Sequence, residues 1–254
     1  MWHECSIRLL NGTPLATYAG MTLPRLRPFP LTATLDSAIS RDAARRALNV
    51  LIALVGLLIA LVPMLVIAVL IKLTSRGPVL FTQQRVGLDR REPVNAGGNR
   101  RRHADHGGVT FTMYKFRTMR TEAPSAAPTA QVWATPDDPR ITAIGRLLRK
   151  LRLDELPQLW NVLLGDMNIV GPRPEQIAIF ASLREQISEY PRRQQVLPGI
   201  TGWAQINQAY DSCVDDVRQK LSYDLEYIQK RSTLHDLKIM LLTPAVMLGR
   251  RYGW

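Results

Sequence analysis

The sequence predicts a helix-rich α/β protein, a small mixed domain joined to a membrane-embedded helix, and three observations carry that prediction. Residues 50–71 form an apolar stretch of about 22 residues without a charge, long enough to cross a bilayer as a straight helix. Val79-Leu80-Phe81 starts one short strand, and residues 109–114 alternate Val, Phe and Met with Thr as a matching partner. Beyond them, apolar residues recur at helical spacing in 141–151, 176–190 and 214–230.

In chain order, residues 1–40 are broken by Glu4, Arg8, Pro14, Arg25 and Arg27, with further prolines at 24, 28 and 30. No apolar run of signal-peptide type occurs there, so secretion by that route is not expected and the segment reads as a poorly ordered arm. The membrane element is placed at 41–76. Simple spanning is its first reading, and two features oppose it. Pro63 falls near the middle, where a proline removes a backbone hydrogen bond and bends a helix. Arg41, Arg45 and Arg46 precede the stretch while Lys72 and Arg76 follow it, so both ends carry the charge that favours the cytoplasmic side. A re-entrant helix satisfies both ends, each half about 10 to 13 residues and roughly 15 to 20 Å long, enough to enter one leaflet and return.

Residues 77–254 make the second unit. Gly77-Pro78 ends the apolar element. Residues 90–108, rich in Arg, Gly and Asn, read as an exposed basic insertion between the two strands. His103 and His106 have a spacing that suits a metal, but the loop offers few other ligands, and no metal site is expected there. Lys115 and Arg117 lie two apart at the end of the second strand, where an extended backbone aims them to one side. By themselves they are a solvated basic pair. Residues 121–139 hold four prolines and read as a surface loop. In 141–151 the apolar stripe Ile141, Ile144, Leu147, Leu148, Leu151 lies opposite Arg146, Arg149 and Lys150, a pattern for a helix that packs on the core while its cations serve an anionic lipid or substrate.

The chemistry is concentrated in residues 153–175. Asp154 and Glu155 stand just before Pro157, and proline favours the first turn of a helix, so 156–164 reads as a short helix with both carboxylates at its positive mouth. That position holds a carboxylate ionised, and it is equally what an ordinary helix cap uses. Gly165-Asp166 marks a turn. Gly171-Pro172-Arg173-Pro174 fixes the backbone around one guanidinium, whose planar fork suits phosphate. Two carboxylates for Mg²⁺ and an arginine for phosphate point to phosphoryl-group chemistry. Further on, 176–190 carries a structural apolar side of Ile177, Phe180, Leu183 and Ile187. Residues 198–205 read as a turn with two glycines that let backbone approach a ligand. Residues 237–248 are a short apolar helix ending in Arg250-Arg251-Tyr252-Gly253-Trp254, suited to an interface or to the core.

Charge is lopsided, Lys+Arg 33 against Asp+Glu 21 for a net +12, which calls for an anionic partner without choosing among nucleic acid, membrane face and phosphorylated substrate. Cys5 and Cys213 make no metal spacing and read as free thiols.

Four runs together carry a resemblance: Tyr114-Lys115-Phe116-Arg117-Thr118-Met119, the stretch from Asp154-Glu155 to Leu159, the stretch 165–174, and Pro198-Gly199-Ile200-Thr201-Gly202. They are similar in kind and order to the bacterial sugar transferases, the monotopic phosphoglycosyl transferases, across roughly residues 41–248. The resemblance implies a small mixed catalytic domain on the cytoplasmic leaflet of a bacterial inner membrane, with a re-entrant helix broken at proline and interfacial amphipathic helices. It implies transfer of a sugar 1-phosphate from a UDP-sugar donor to undecaprenyl or another polyprenyl phosphate, with release of UMP, as a first membrane step of exopolysaccharide or other glycan assembly. Asp154 is then the nucleophile and Glu155 the Mg²⁺ ligand. Arg173 and Pro174, with Lys115 and Arg117, bind substrate, and residues 198–205 sit at the nucleotide-sugar end. The chain departs from the family at Val62, where serine is common before the proline, at Asn49, where aspartate is common, and at Asn207-Gln208-Ala209, where Asn-Gly-Arg often stands. Rival readings are a membrane-tethered nucleic-acid binder, which lacks basic residues interleaved with stacking aromatics, a catalytically idle scaffold, and one-step transfer through a ternary complex.

Overall fold

The computed structural model describes residues 35–89, 107–120, 138–208 and 213–248. The N-terminal arm up to residue 34, nearly all of the basic insertion with His103 and His106, the proline-rich loop up to residue 137, Cys5 and the terminal Arg250–Trp254 run lie outside the described residues.

Helix α1, Leu35–Thr74, takes in the last residues assigned to the arm and continues through Pro63. Strands β1, Leu80–Val86, and β2, Thr110–Phe116, pair antiparallel with Leu80 opposite Phe116 and Val86 opposite Thr110. Helix α2, Ala143–Lys150, is capped by Thr142, whose hydroxyl accepts from the Gly145 N–H. A 3₁₀ turn, Leu153–Glu155, then precedes α3, Gln158–Leu164, which ends at Gly165 with φ +89°; glycine adopts that left-handed cap without steric cost.

The short β3, Asn168–Val170, pairs in parallel with β4, Gly199–Thr201. This corrects the expectation of a simple turn at 198–205: Gly199 is in a strand, and Trp203–Asn207 forms α5. The glycines serve backbone packing instead, since a Cβ on Gly199 would meet the Gly171 nitrogen at 2.1 Å. Between these strands lie α4, Ile177–Gln186, and a 3₁₀ segment, Tyr190–Gln195. Helices α6, Val214–Lys230, and α7, Thr233–Leu248, complete the described chain.

Three apolar clusters hold these pieces together. One joins Ala53 of α1, Phe111 and Met113 of β2, Val162 of α3, Val170 of β3 and Ile239 of α7. A second gathers Val86, Phe180, Leu183, Tyr190, Val217, Leu221 and Leu225. The third packs Ile67 and Ile71 of α1 against Phe116 and Leu148.

Residues Asp42–Thr74 are long and apolar enough to cross a membrane, with mean hydropathy 3.1 and only 17% of the apolar window buried. Leu58, Ile59, Val62, Leu65 and Val69 are all exposed on α1. At about 1.5–3 kcal/mol per large apolar side chain, leaving such a face in water costs on the order of 10 kcal/mol, as much as a whole fold's stability. An apolar medium is the physical remedy.

Both flanks of α1 nevertheless grip the same body. At the N-terminal side, Arg45 donates to Asp236 Oδ2 at 2.8 Å and to Tyr227 Oη at 3.0 Å. Asn49 donates to the Arg45 carbonyl and accepts from the Ile169 N–H at 2.6 Å, so its amide ties α1 to β3. At the C-terminal side, Ile67 and Ile71 pack under β2, and Arg117 donates to the carbonyls of Ser75 and Arg76.

Candidate active site

The bend that delivers the dyad is made by Arg152, whose φ of +57° is the one positive value at a non-glycine among the described residues. A left-handed residue with a Cβ costs about 1–2 kcal/mol, and such strain persists where surrounding contacts enforce it. Here the enforced turn reverses the chain after α2 and places Asp154 and Glu155 in the 3₁₀ segment rather than at the mouth of a helix starting at 156. Pro157 occupies the cap position of α3, and no side chain caps that helix there. The helix pole is therefore not what sets the charge on the pair.

The two carboxylates, 8% and 7% exposed, live in opposed environments. Glu155 Oε1 accepts from Arg173 Nη2 at 2.6 Å and Lys115 Nζ at 3.3 Å, and its Oε2 accepts from Arg173 Nη1 at 3.3 Å. Arg152 Nη1 stands 3.7 Å from Oε1. Burial alone pushes Glu155 up, but Arg173, then Lys115 and Arg152, outweigh it and hold the group well below the ordinary carboxylate range. Asp154 has no such escort. Its Oδ1 is buried without a hydrogen-bond partner, and burial, reinforced by the neighbouring Glu155 charge, raises its pKa despite the more distant cations. The two carboxylates are thus not equivalent: burial works against the charge of Asp154, whereas three cations stabilise that of Glu155.

The sequence-predicted residues divide. Asp154, Glu155, Lys115 and Arg173 come together. Pro174 contributes its carbonyl, which accepts from Arg85 Nη1 at 3.0 Å and so braces the Arg173 loop. Arg117 does not join them. Although two residues from Lys115, it lies past the end of β2 and turns to the carbonyls that close α1, leaving the dyad to Lys115 alone.

Among the described residues no group of three or more His, Cys, Asp or Glu gathers to hold a metal. Two carboxylates still fit Mg²⁺, which usually keeps one or two protein carboxylates and takes the rest of its shell from phosphate and water. The orphaned Asp154 Oδ1 beside Glu155 is the feature that such an ion would complete.

Comparison with known proteins gives the family. Residues 40–250 match the family model described as bacterial sugar transferase. The chain belongs to that family. Among curated relatives, the undecaprenyl-phosphate glucose phosphotransferase of Komagataeibacter xylinus is 42% identical over 231 residues, 88% of this chain and 40% of that protein. The UDP-glucose:undecaprenyl-phosphate glucose-1-phosphate transferase of Escherichia coli (strain K12) is 35% identical over 243 residues, 94% of this chain and 48% of that protein. A protein of the same name from Caulobacter vibrioides is 40% identical over 216 residues, 83% of this chain and 72% of that protein. The chain spans less than half the length of the first two.

In this chain a second charged group lies under the first, and sequence reasoning missed it. Arg193, only 3% exposed, donates to the Arg173 carbonyl at 2.9 Å and pairs with Asp224 Oδ2 at 2.8 Å and Glu175 Oε1 at 3.2 Å. Lys220 reaches the same Glu175 oxygen at 3.0 Å. Burial lowers Arg85 to about 10, although Glu175 attracts it. The backbone of Arg173 is thereby held from both sides. Arg152 carried one sequence signal, its place two residues ahead of Asp154; Arg193, the second of two consecutive arginines, and Asp224, within a periodic helix, carried none.

Proposed function

We propose that the protein transfers a sugar 1-phosphate from a UDP-sugar to a polyprenyl phosphate such as undecaprenyl phosphate, at the cytoplasmic leaflet of a bacterial inner membrane, as an opening step of exopolysaccharide or other glycan assembly. The observation that carries the reading is the division of labour in the dyad: one carboxylate unpartnered and buried, the other gripped by three cations. Family membership and the printed names of the relatives support the same chemistry.

In this mechanism an Asp154 oxygen attacks the phosphorus that bears the sugar. The bond from that phosphorus to the bridging oxygen of the nucleotide breaks, and UMP leaves with the electron pair. The product is an acyl phosphate, the phosphosugar joined to Asp154 as a mixed anhydride. An oxygen of the lipid phosphate then attacks the same phosphorus, the bond to Asp154 breaks and the carboxylate returns. Neither half consumes a proton, so ionised Asp154 suffices. Its lack of hydrogen-bond partners favours nucleophilicity, because no stabilised ground state must be given up. Arg173, fixed by Arg193 and Pro174, orients phosphate oxygens, with Lys115 as the second cation. Mg²⁺, held by Glu155 with Asp154 beside it, supplies neutralisation of diphosphate charge when bound.

The grip of one body on both flanks of α1 supports a re-entrant placement. A spanning helix separates its flanks by the bilayer, whereas here Arg45 and the Ser75 carbonyl are both held by residues of the catalytic unit.

The test is UMP release from a panel of UDP-sugars by purified protein in lipid with Mg²⁺ and polyprenyl phosphate, wild type beside Asp154→Asn. Release from one donor, lost in the variant, is expected. Release surviving in Asp154→Asn removes the nucleophile and with it the mechanism.

A further inference from the structure

A cavity of about 320 Å³ opens directly beside Glu155 and Arg173. Its lining mixes two chemistries: Lys150, Arg152, Arg173 and Lys220 are cationic, while Leu156, Leu159, Val246 and Met247 are aliphatic. The aliphatic part reaches α1 and α7. A Cβ placed on Gly56 of α1 would lie 3.2 Å from Leu159 Cδ1, and Met247 is itself exposed on α7 beside the exposed Leu241 and Leu242.

We propose that this cavity is the lipid subsite of the acceptor, with the phosphate at the Lys150–Arg152 end and the first isoprene units along the Leu159–Val246–Met247 wall. The proposal rests on the transfer reading above and deepens it. A hydrocarbon that begins at a phosphate needs apolar walls, cations close by and access to the apolar helix α1, and the lining residues supply the first two while Leu159 packs against Gly56 of α1. A nucleobase fits it poorly. No aromatic side chain lines it among the described residues, so there is no stacking platform. Of the two amides present, the nitrogens are committed, Gln205 donating to the Ile200 carbonyl at 3.0 Å and Gln208 to the Asp216 carbonyl at 2.8 Å, while both amide oxygens are buried without a hydrogen-bond partner. Residues 198–205, which the resemblance assigns to the nucleotide-sugar end, therefore contribute to the acceptor's slot through Ile200, Thr201 and Ala204.

The experiment uses the full chain in lipid nanodiscs with Mg²⁺ and a UDP-sugar it accepts, comparing wild type, Val246→Phe and Met247→Glu. Met247 is exposed, so its variant folds even if the Val246 variant does not. Two readouts are taken: kcat/KM for undecaprenyl phosphate against geranyl phosphate, and the UMP burst without acceptor. Expressing each variant relative to wild type removes the different partitioning of the two lipids. Both variants should lose about tenfold in kcat/KM for the long acceptor, the equivalent of one or two buried methylenes, much less for geranyl phosphate, and should keep the wild-type burst. Unchanged discrimination between chain lengths overturns the proposal, as does a raised KM for UDP-sugar with acceptor parameters intact, which would return the cavity to the nucleotide. If wild type itself gives no burst, the covalent step has failed, while the chain-length comparison still reports on the cavity.

Discussion

Replacing the two adjacent carboxylates with their amides should move stability in opposite directions, although on the proposed mechanism both changes should abolish transfer. Asp154 has a folded pKa above its ordinary value, chiefly through burial. Its contribution is complete below the ordinary carboxylate pKa and is lost as pH rises through the folded value, so at neutral pH the ionised group is a standing cost. Asp154→Asn removes that cost, and relief of this kind at a catalytic position is worth about 0.5–2 kcal/mol. Glu155 is the reverse case. Its pKa is depressed by Arg173, Lys115 and Arg152 against the upward push of burial, so its contribution is present above the ordinary value and lost as pH falls through the folded one. Glu155→Gln leaves three cations around a neutral amide. Breaking a fully buried pair costs 3–5 kcal/mol, and because Arg173 and Arg152 keep partial access to water, about 2–3 kcal/mol is expected here. For a chain of this size each kcal/mol moves the melting midpoint by about 2–4 °C. Thermal unfolding in one lipid system at pH 7.5, without donor or metal, should place Asp154→Asn above wild type and Glu155→Gln several degrees below it. Repeating the melt at falling pH should shrink the Asp154→Asn advantage as the wild-type carboxyl takes its proton. Shifts of the same sign for both variants, or an Asp154→Asn gain that grows on acidification, would refute the assignment of environments.

Other outcomes follow from the remaining contacts. Arg193→Met strands the buried Asp224 and should cost about 3–5 kcal/mol, read as a melting midpoint lowered by roughly 10 °C; adding Asp224→Leu should recover part of that loss, and a double variant no more stable than the single one would contradict the pairing. Arg173→Met should raise the KM for the UDP-sugar, whereas Arg117→Met should lower the melting midpoint with donor KM unchanged, a contrast that initial-rate kinetics checks directly. Single cysteines placed at Asp42 and Arg76 in a background without Cys5 and Cys213 should both resist an impermeant thiol reagent in spheroplasts and both react in inverted vesicles; opposite accessibility would mean that α1 spans.

What the sequence disclosed and what it withheld divide along a physical line. Apolar period and punctuation were legible because each is local. Helix α6 begins and ends at the residues its periodicity marks, the two strands of the hairpin pair as their alternation requires, and Gly165 closes α3 with the left-handed turn that glycine announces. The acidic pair and Arg173 were legible because carboxylates, prolines and an arginine packed into one short stretch have few structural uses. Distribution of charge among those groups was not legible, because it depends on distances across the fold. Lys115 and Arg117 are equivalent in an extended strand, yet the strand stops at Phe116, and the next side chain falls to the end of α1 instead of to Glu155. Asp154 and Glu155 are equivalent at the mouth of a helix, yet the left-handed Arg152 sets them in a tight turn where only the second meets the cations. The asymmetry between one unpartnered carboxylate and its cation-bound neighbour, which the proposed mechanism uses, is therefore produced by a single backbone dihedral and a guanidinium 18 residues away in sequence, neither of which leaves any periodic trace in the chain.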